Sequence, residues 1–146
     1  MHISIEVFRK TSLAYNIACK PVCKELGLPQ TAFDILLFLG NNPTYKTASE
    51  IVELRNLKAN LVSVNVDRLV QDGYLIRKPS AEDRRKTELF CTDKAWPVIE
   101  RGRELQRDFF DMLFADTDDD TRKAFFGAIH QIENNLNTFL EEKDNI

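Results

Sequence analysis

A helix that ends at a glycine and leads into a short hairpin constrains the fold of this chain more than any other feature. Residues 58–72 have helical spacing of apolar side chains and stop at Gly73, the residue type that most easily adopts a left-handed conformation beyond a helix. Two strand-like runs follow, residues 74–78 and Thr87–Cys91, on either side of a polar tip, residues 79–86. The pattern predicts a helix followed by a β-hairpin with a long basic loop.

The residues before this helix predict three more helices. Residues 3–26 have helical spacing, although Pro21 is expected to kink or divide that helix, and residues 30–39 form a second. Thr47 and Glu50 then stand three residues apart before an apolar residue, which is the pattern of a capping box. This box opens a short helix that ends near Arg55.

Two long helices are predicted after the hairpin. Thr92 and Asp93 are expected to cap a helix over residues 94–114, with Pro97 in its first turn, where proline is tolerated. Residues 116–120 form an acidic break, and the last helix runs from Thr121 to about residue 143. The predicted fold is therefore mainly α with a small β-hairpin, a winged helix-turn-helix domain on a helical dimerisation platform.

The helix over residues 58–72 has one apolar and one polar face. At 100° per residue, its apolar stripe of Val62, Val66, Leu69 and Gly73 is expected to face the core. The exposed side presents groups that can read the edges of base pairs or contact phosphates, and we select Lys58, Asn60, Ser63, Val64 and Arg68 as candidate DNA-binding residues. Val64 is either a contact for a thymine methyl group or an incidental exposed valine.

The charge of the chain is unevenly distributed. The whole chain carries −3, which by itself argues against nucleic acid, but residues 54–86 hold eight basic and four acidic side chains and are net +4. The basic residues at the hairpin tip, Arg84, Arg85 and Lys86, are expected to follow the DNA backbone or to enter a narrow minor groove. Asp83 is expected to orient a neighbouring arginine by a bidentate pair. Random clustering of charge and a merely solvated loop are the competing interpretations.

These motifs resemble the DNA-binding core of the MarR family of bacterial regulators. The resemblance covers the order of all elements and is specific between residues 47 and 96, where Leu69 to Gly73 and the Asp83-Arg84-Arg85 run match the family pattern. The family often has arginine where this chain has Val64, so base preference cannot be carried over. It also often has glycine where this chain has Ala95, which concerns only the start of the next helix. The resemblance implies a single domain over residues 1–146, with a winged-helix lobe at 30–92 and a dimerisation region at 1–29 and 93–146.

Both long C-terminal helices carry apolar residues at alternating spacings of three and four, which is typical of helix packing. These residues are Val98, Gly102, Leu105, Phe109 and Met112, then Phe125, Ile129, Ile132, Leu136 and Phe139. A homodimer and an intramolecular bundle both explain this spacing. Large apolar residues beyond it, such as Phe110, Phe126 and Leu140, favour the homodimer.

The resemblance also implies a regulator that senses a signal. Family members respond to small lipophilic or aromatic effectors in a cleft between platform and DNA-binding lobe, or to oxidants through an N-terminal cysteine. Cys19 and Cys23 are candidate redox residues if exposed, and small buried hydrophobes otherwise. We therefore expect a ligand- or stress-responsive repressor that binds double-stranded DNA as a homodimer on a pseudo-palindromic operator.

Several other classes of protein fit the sequence poorly. No metal site, cofactor or catalytic cluster is expected, because His2 and His130 have no partner residues and the chain has no phosphate-binding glycine loop. No membrane span or secretory signal is recognised, so a cytoplasmic location is expected. The alternative to DNA binding is a winged helix that binds only proteins, which the acidic total charge and Val64 keep open.

Overall fold

The computed structural model describes residues 5–144, which form six helices and one two-stranded hairpin. In chain order the elements are α1 (Ile5–Leu26), α2 (Gln30–Asn41), α3 (Ala48–Arg55), α4 (Ala59–Gln71), β1 (Leu75–Pro79), β2 (Thr87–Cys91), α5 (Trp96–Leu113) and α6 (Asp119–Asp144). The predicted mainly helical fold with one hairpin is confirmed. Residues 1–4 and 145–146, which the predicted dimerisation region includes, lie outside the described residues. Within residues 5–144, none of the helices is long and apolar enough to cross a membrane.

The chain divides into two compact units after Phe109. In the first unit, α2 is the central helix, because half of its side chains are buried and only a few are polar. The core around it takes residues from every other element of this unit, among them Cys19, Phe33, Leu36, Ile51, Val66, Leu69, Leu75, Leu89 and Ile99.

Proline does not divide the first helix. Pro21 was expected to kink or divide this helix, and division is excluded, since α1 continues from Ile5 to Leu26 with Pro21 inside it. Val22 and Cys23, directly after the proline, are both buried. Packing of this last part of α1 offsets the hydrogen bond that proline cannot donate.

Two glycines let α2 and α5 approach closely. A Cβ atom on Gly40 of α2 would lie 2.7 Å from Cγ2 of Ile99, and one on Gly102 of α5 would lie 2.8 Å from Cδ1 of Leu37. Ile99 is fully buried and Leu37 nearly so. Val98, Gly102 and Leu105 are buried as well. These first apolar residues of the α5 stripe thus belong to the core of the single chain. For them, an intramolecular core and not a homodimer explains the helical spacing.

We predict that Gly40→Ala destabilises the protein. The new methyl group overpacks a filled core, so the free energy of unfolding should be lower than that of Gly127→Ala by about 1–3 kcal/mol. Gly127, also in a helix, is the matched control, because a Cβ there meets nothing within 4 Å and both changes gain helix propensity. Urea unfolding of the two variants measures the difference, and equal stabilities would contradict the packing argument.

The helix-turn-helix pair is fixed by its caps. The backbone N–H of Glu50 donates to Thr47 Oγ1 at 3.2 Å, while Glu50 Oε2 accepts from the backbone N–H of Lys46 at 3.0 Å, so the predicted N-cap is confirmed. Asn56 ends α3 in a left-handed conformation with φ of 49°. Gly73, with φ of +83°, adopts the left-handed conformation that was predicted for the residue following this helix. Its placement on the buried stripe is wrong, because it lies beyond the helix and is exposed.

The hairpin is antiparallel, with Leu75 opposite Cys91 and Pro79 opposite Thr87. Its base is tied to the end of α4 by Thr92, whose Oγ1 donates to the carbonyl of Gly73 at 2.6 Å. The prediction that Thr92 and Asp93 cap a helix beginning at residue 94 is wrong, since α5 begins at Trp96. The threonine hydroxyl is instead used to hold the hairpin against the preceding helix.

The second unit contains the end of α5 and all of α6. Four aromatic rings cluster here, with Phe110 stacked on Phe114 and Phe126 at centroid distances of 4.6 and 5.4 Å. Phe125 completes the cluster against Phe114. Asp118 Oδ1 accepts the backbone N–H of Thr121 at 2.7 Å. Hydrogen bonds from the side chain and the backbone of Thr121 lower the pKa of Asp118. The acidic break therefore caps α6, which begins two residues earlier than predicted.

Candidate nucleic-acid interface

The exposed face of α4 carries the candidate base-reading residues. Asn60, Ser63 and Val64 are all exposed, while Val62, Val66 and Leu69 on the other side are buried. The pattern at 100° per residue thus identified the buried face correctly except at Gly73. The pattern did not predict that Asn65 is buried. Its Nδ2 donates to the carbonyl of Leu61 at 2.8 Å. An internal bond of this kind satisfies a buried amide.

Val64 is the most exposed large apolar residue of this helix. Its exposed fraction is 67%, and Leu61, one turn before it on the same side, is 41% exposed. At 100° per residue these two side chains lie on the side of Asn60 away from Ser63, where they form a small apolar surface. A surface of this kind fits the methyl group of thymine in the major groove.

Both acidic residues near the end of α4 are paired with arginines. Asp67 Oδ1 accepts from Nη2 of Arg77 on β1, and Asp72 lies 3.8 Å from Nε of Arg68. The Asp67–Arg77 pair neutralises one of these carboxylates and links the candidate recognition helix to the first strand of the wing. Arg68 is partly neutralised, which leaves it a weaker phosphate contact than its sequence position indicates.

The wing loop, residues 80–86, is closed by its own hydrogen bonds. The backbone N–H of Ser80 donates to the carbonyl of Lys86, and that of Lys86 donates to the carbonyl of Asp83, both at 2.9 Å. The buried Ser80 hydroxyl accepts from the N–H of Glu82 at 3.3 Å. A loop held in this way presents its basic side chains from a defined backbone.

Asp83 organises Arg85. One carboxylate oxygen, Oδ1, accepts both the backbone N–H of Arg85 at 3.0 Å and its side-chain Nε at 3.2 Å. The contact therefore uses a single oxygen, in contrast to the expected bidentate pair. These bonds to Arg85, with the nearby charge of Lys86, lower the pKa of Asp83. Asp83 is thus ionised at neutral pH and holds one arginine of the wing.

The remaining basic residues of this surface keep their charges available. Among residues 5–144, neither Lys58 nor Arg84 has an acidic partner within 4.0 Å. Lys58 stands at the N-cap of α4 with no side-chain capping bond, and Arg84 lies at the exposed loop tip. Cations without an internal partner are those that gain most from binding a phosphate.

A cavity of about 400 Å³ lies elsewhere in the first unit. Its walls come from α1, α2, the end of α3 and α5, and they combine aromatic faces with polar groups, including Tyr15, Asn16, Asp34, Phe38, Arg55, Gln106 and Phe109. Burial raises the pKa of Asp34, an effect that Arg55 and a hydrogen bond from Gln30 oppose. A cavity of this size holds a small molecule.

The two candidate redox cysteines lie in the core. Cys19 is 0% and Cys23 8% exposed. Burial raises the pKa of Cys19 to about 11 and raises that of Cys23 as well. A reactive thiol needs access and a lowered pKa, so this environment favours the packing role over the redox role.

We predict slow labelling of these thiols. In a Cys91→Ser variant at pH 8, a disulfide reagent should modify Cys19 and Cys23 about a hundredfold more slowly in the native protein than in urea, because thiolate is scarce and access is blocked. The reagent releases a coloured thiolate for each cysteine that it modifies, and the absorbance of this product over time gives the labelling rate. Rapid labelling of the native variant would restore the redox interpretation.

Within the described part of the chain, no group of three or more His, Cys, Asp or Glu side chains is placed to bind a metal ion. The two histidines of the sequence, His2 and His130, are far apart along the chain. His2 lies outside the described residues and His130 is exposed on α6.

Comparison with known proteins identifies relatives of the same kind. A sequence model of the MarR family matches residues 26–86. The HTH-type transcriptional regulator BilQ of Clostridium symbiosum is 19% identical over 118 residues, 81% of each chain. The HTH-type transcriptional regulator PecS of Dickeya dadantii is 30% identical over 99 residues, which are 66% of this chain and 60% of PecS.

Solved structures share the fold. One of them is a MarR family transcriptional regulator from Listeria monocytogenes in complex with a 26mer DNA, with a TM-score of 0.77 and 16% sequence identity. The match covers 93% of this chain and 90% of the Listeria chain. The family match lies on the helix-turn-helix pair and wing described above, and the structural match extends over both long helices. Residues 26–86 thus match the MarR family in sequence, and over most of its length the chain has the fold of MarR family transcriptional regulators.

Proposed function

We propose that this protein is a repressor that binds a pseudo-palindromic operator in double-stranded DNA as a homodimer. The observation that carries the proposal is the exposed face of α4, with Asn60, Ser63 and Val64, together with a closed wing loop. Within residues 5–144, Arg84 of this loop makes no salt bridge. A helix with such groups fits the major groove, and a basic wing fits the flanking backbone.

Each candidate residue has a role in this proposal. Asn60 and Ser63 read base edges by hydrogen bonds, and Val64 packs against a thymine methyl group. Phosphates or a narrow minor groove are contacted by the basic side chains Lys58, Arg68, Arg84, Arg85 and Lys86. Asp83 orients Arg85 within the wing.

The homodimer is supported by the apolar side of α6. This helix has 26 residues and no buried side chain, yet Ile129, Ile132 and Leu136 are each about half exposed at helical spacing. Exposed apolar stripes of this length are covered in stable proteins, here by a second copy of the chain. We therefore assign residues 30–92 to the DNA-binding lobe, and 1–29 with 93–146 to the dimerisation region. Two-fold symmetry accounts for a pseudo-palindromic operator.

The cavity in the first unit supports an effector-responsive repressor. Its wall includes Arg55, the last residue of α3, and α4 begins four residues later. A small aromatic effector in the cavity contacts the helix-turn-helix pair directly and shifts the equilibrium between forms that bind DNA well and poorly. A regulator of this kind works in the cytoplasm, where its DNA is.

Selection from a random pool of DNA duplexes tests the proposal. The wild-type protein should enrich one site with two related half-sites a helical turn apart. Asn60→Ala and Ser63→Ala should change the preferred bases within each half-site, by about 1–3 kcal/mol at one position. Enrichment of no sequence would favour the protein-interaction alternative, and unchanged preferences in both variants would overturn the assignment of α4.

A further inference from the structure

We propose that the cavity in the first unit selects a small aromatic molecule that carries a positive charge or N–H donors, and discriminates against aromatic carboxylates. The inference rests on the proposed effector response and specifies its chemistry. It depends on the side chains that line the walls, on their charges and on what each of them already contacts.

The decisive residue is Asp34, a half-buried carboxylate in the cavity wall. Among residues 5–144 no lysine, arginine or histidine nitrogen lies within 4.0 Å of it. Burial raises the pKa of Asp34, and the charge of Arg55 at longer range and a hydrogen bond from Gln30 oppose this effect. A cation in the cavity supplies the close charged partner that the described residues do not give this carboxylate.

Arg55 is the basic residue of the cavity wall, and it does not reverse this preference. It is exposed, so water solvates its charge, while Asp34 is partly removed from water. An aromatic carboxylate that enters the cavity is repelled by Asp34 at short range and gains little from a solvated guanidinium.

The other walls favour a flat ring. Tyr15 and Phe109 meet edge to face with centroids 5.3 Å apart, and Phe38 lies on the same cavity. Several amides are already committed: Asn41 donates to Gln106 at 3.1 Å, and Gln30 donates to Asn16 at 2.7 Å. With these amides committed to one another, the walls offer a ligand chiefly the aromatic faces and the carboxylate of Asp34, beside the hydroxyls of Thr11 and Ser12.

Two probes of the same shape and opposite charge test the proposal. Benzamidine, a cation, and benzoate, an anion, are titrated into the dimeric protein without DNA at pH 8, by isothermal calorimetry. We expect benzamidine to bind about tenfold or more tightly than benzoate, since the ligand charge faces a carboxylate that makes no ion pair within 4.0 Å among residues 5–144. Failure of benzamidine to bind, or equal or tighter binding of benzoate, overturns the proposal.

Substitutions at Asp34 test whether this residue causes the preference for benzamidine over benzoate. Asp34→Asn keeps the size of the side chain and should abolish the preference for benzamidine, while Asp34→Glu, which retains the charge, should preserve it. Asp111→Asn removes an equal charge from an exposed position of the second unit and should change neither affinity. If Asp34→Asn does not fold, the proposal is tested by the wild-type protein and by Asp34→Glu, both of which should prefer benzamidine. Preference unchanged in a folded Asp34→Asn variant overturns the proposal.

DNA affinity measured without either probe keeps the two proposals apart. A protein that binds its operator but not benzamidine contradicts only the ligand class. A protein that binds benzamidine in the cavity but no DNA contradicts the repressor and leaves the ligand class supported.

Discussion

Replacing Arg84 and Arg85 together by alanine is expected to weaken binding to DNA of every sequence, by about tenfold or more at moderate salt, and to flatten its salt dependence. Both arginines are exposed on a loop closed by its own hydrogen bonds, so their removal leaves the loop backbone intact. Each lost phosphate contact lowers the slope of log affinity against log salt by about 0.9, so the double variant should lose about 2. Fluorescence anisotropy at several salt concentrations measures both quantities.

The matched control for the wing is Lys20→Ala with Lys24→Ala. These two lysines are exposed on α1, so the variant loses the same charge away from the wing. We expect it to keep most of the affinity and nearly all of the slope. Equal effects of the two double variants would mean that net charge, and not the wing, controls binding.

Charging the exposed stripe of α6 is expected to dissociate the proposed homodimer. Ile132→Glu with Leu136→Glu places two carboxylates in the proposed apolar interface, and a buried unpaired charge costs several kcal/mol. Both residues are about half exposed in the single chain, so the fold of one protomer should survive. Affinity for a two-half-site duplex should then fall about a hundredfold or more, because the second half-site is no longer bound by a tethered copy.

Asn134→Glu with Asn137→Glu provides the comparison for this variant. The two asparagines lie on the same helix away from the apolar stripe and are exposed, so the pair adds the same charge. Sedimentation should show a dimer for this control and a monomer for the stripe variant. A dimeric stripe variant would contradict the proposed interface.

Local signals in the sequence predicted the local structure well. Thr47 and Glu50 determine where α3 begins, and Gly73 adopts the left-handed conformation after α4, because each depends on residues within one turn. The same holds for the strands, which a turn-rich charged tip separates. The buried face of α4 followed from helical periodicity alone.

What the sequence did not show depends on residues that are distant along the chain. The pairing of Asp67 with Arg77, the bond from Thr92 to Gly73 and the contact between Gly40 and Ile99 all join different elements. Neither composition nor periodicity reports such contacts. The cavity is the clearest case, since Tyr15, Asp34, Arg55 and Gln106 come from four helices and carry no shared motif.

The central claim is that α4 and the wing together bind a specific DNA sequence. The most direct measurement compares, by anisotropy at one physiological salt concentration, the affinity for a duplex from upstream of the protein's own gene with that for a shuffled duplex of equal composition. The account predicts that the upstream duplex binds about a thousandfold or more tightly, with both affinities falling as salt rises. Equal affinities for the two duplexes, or no binding to either, would contradict it.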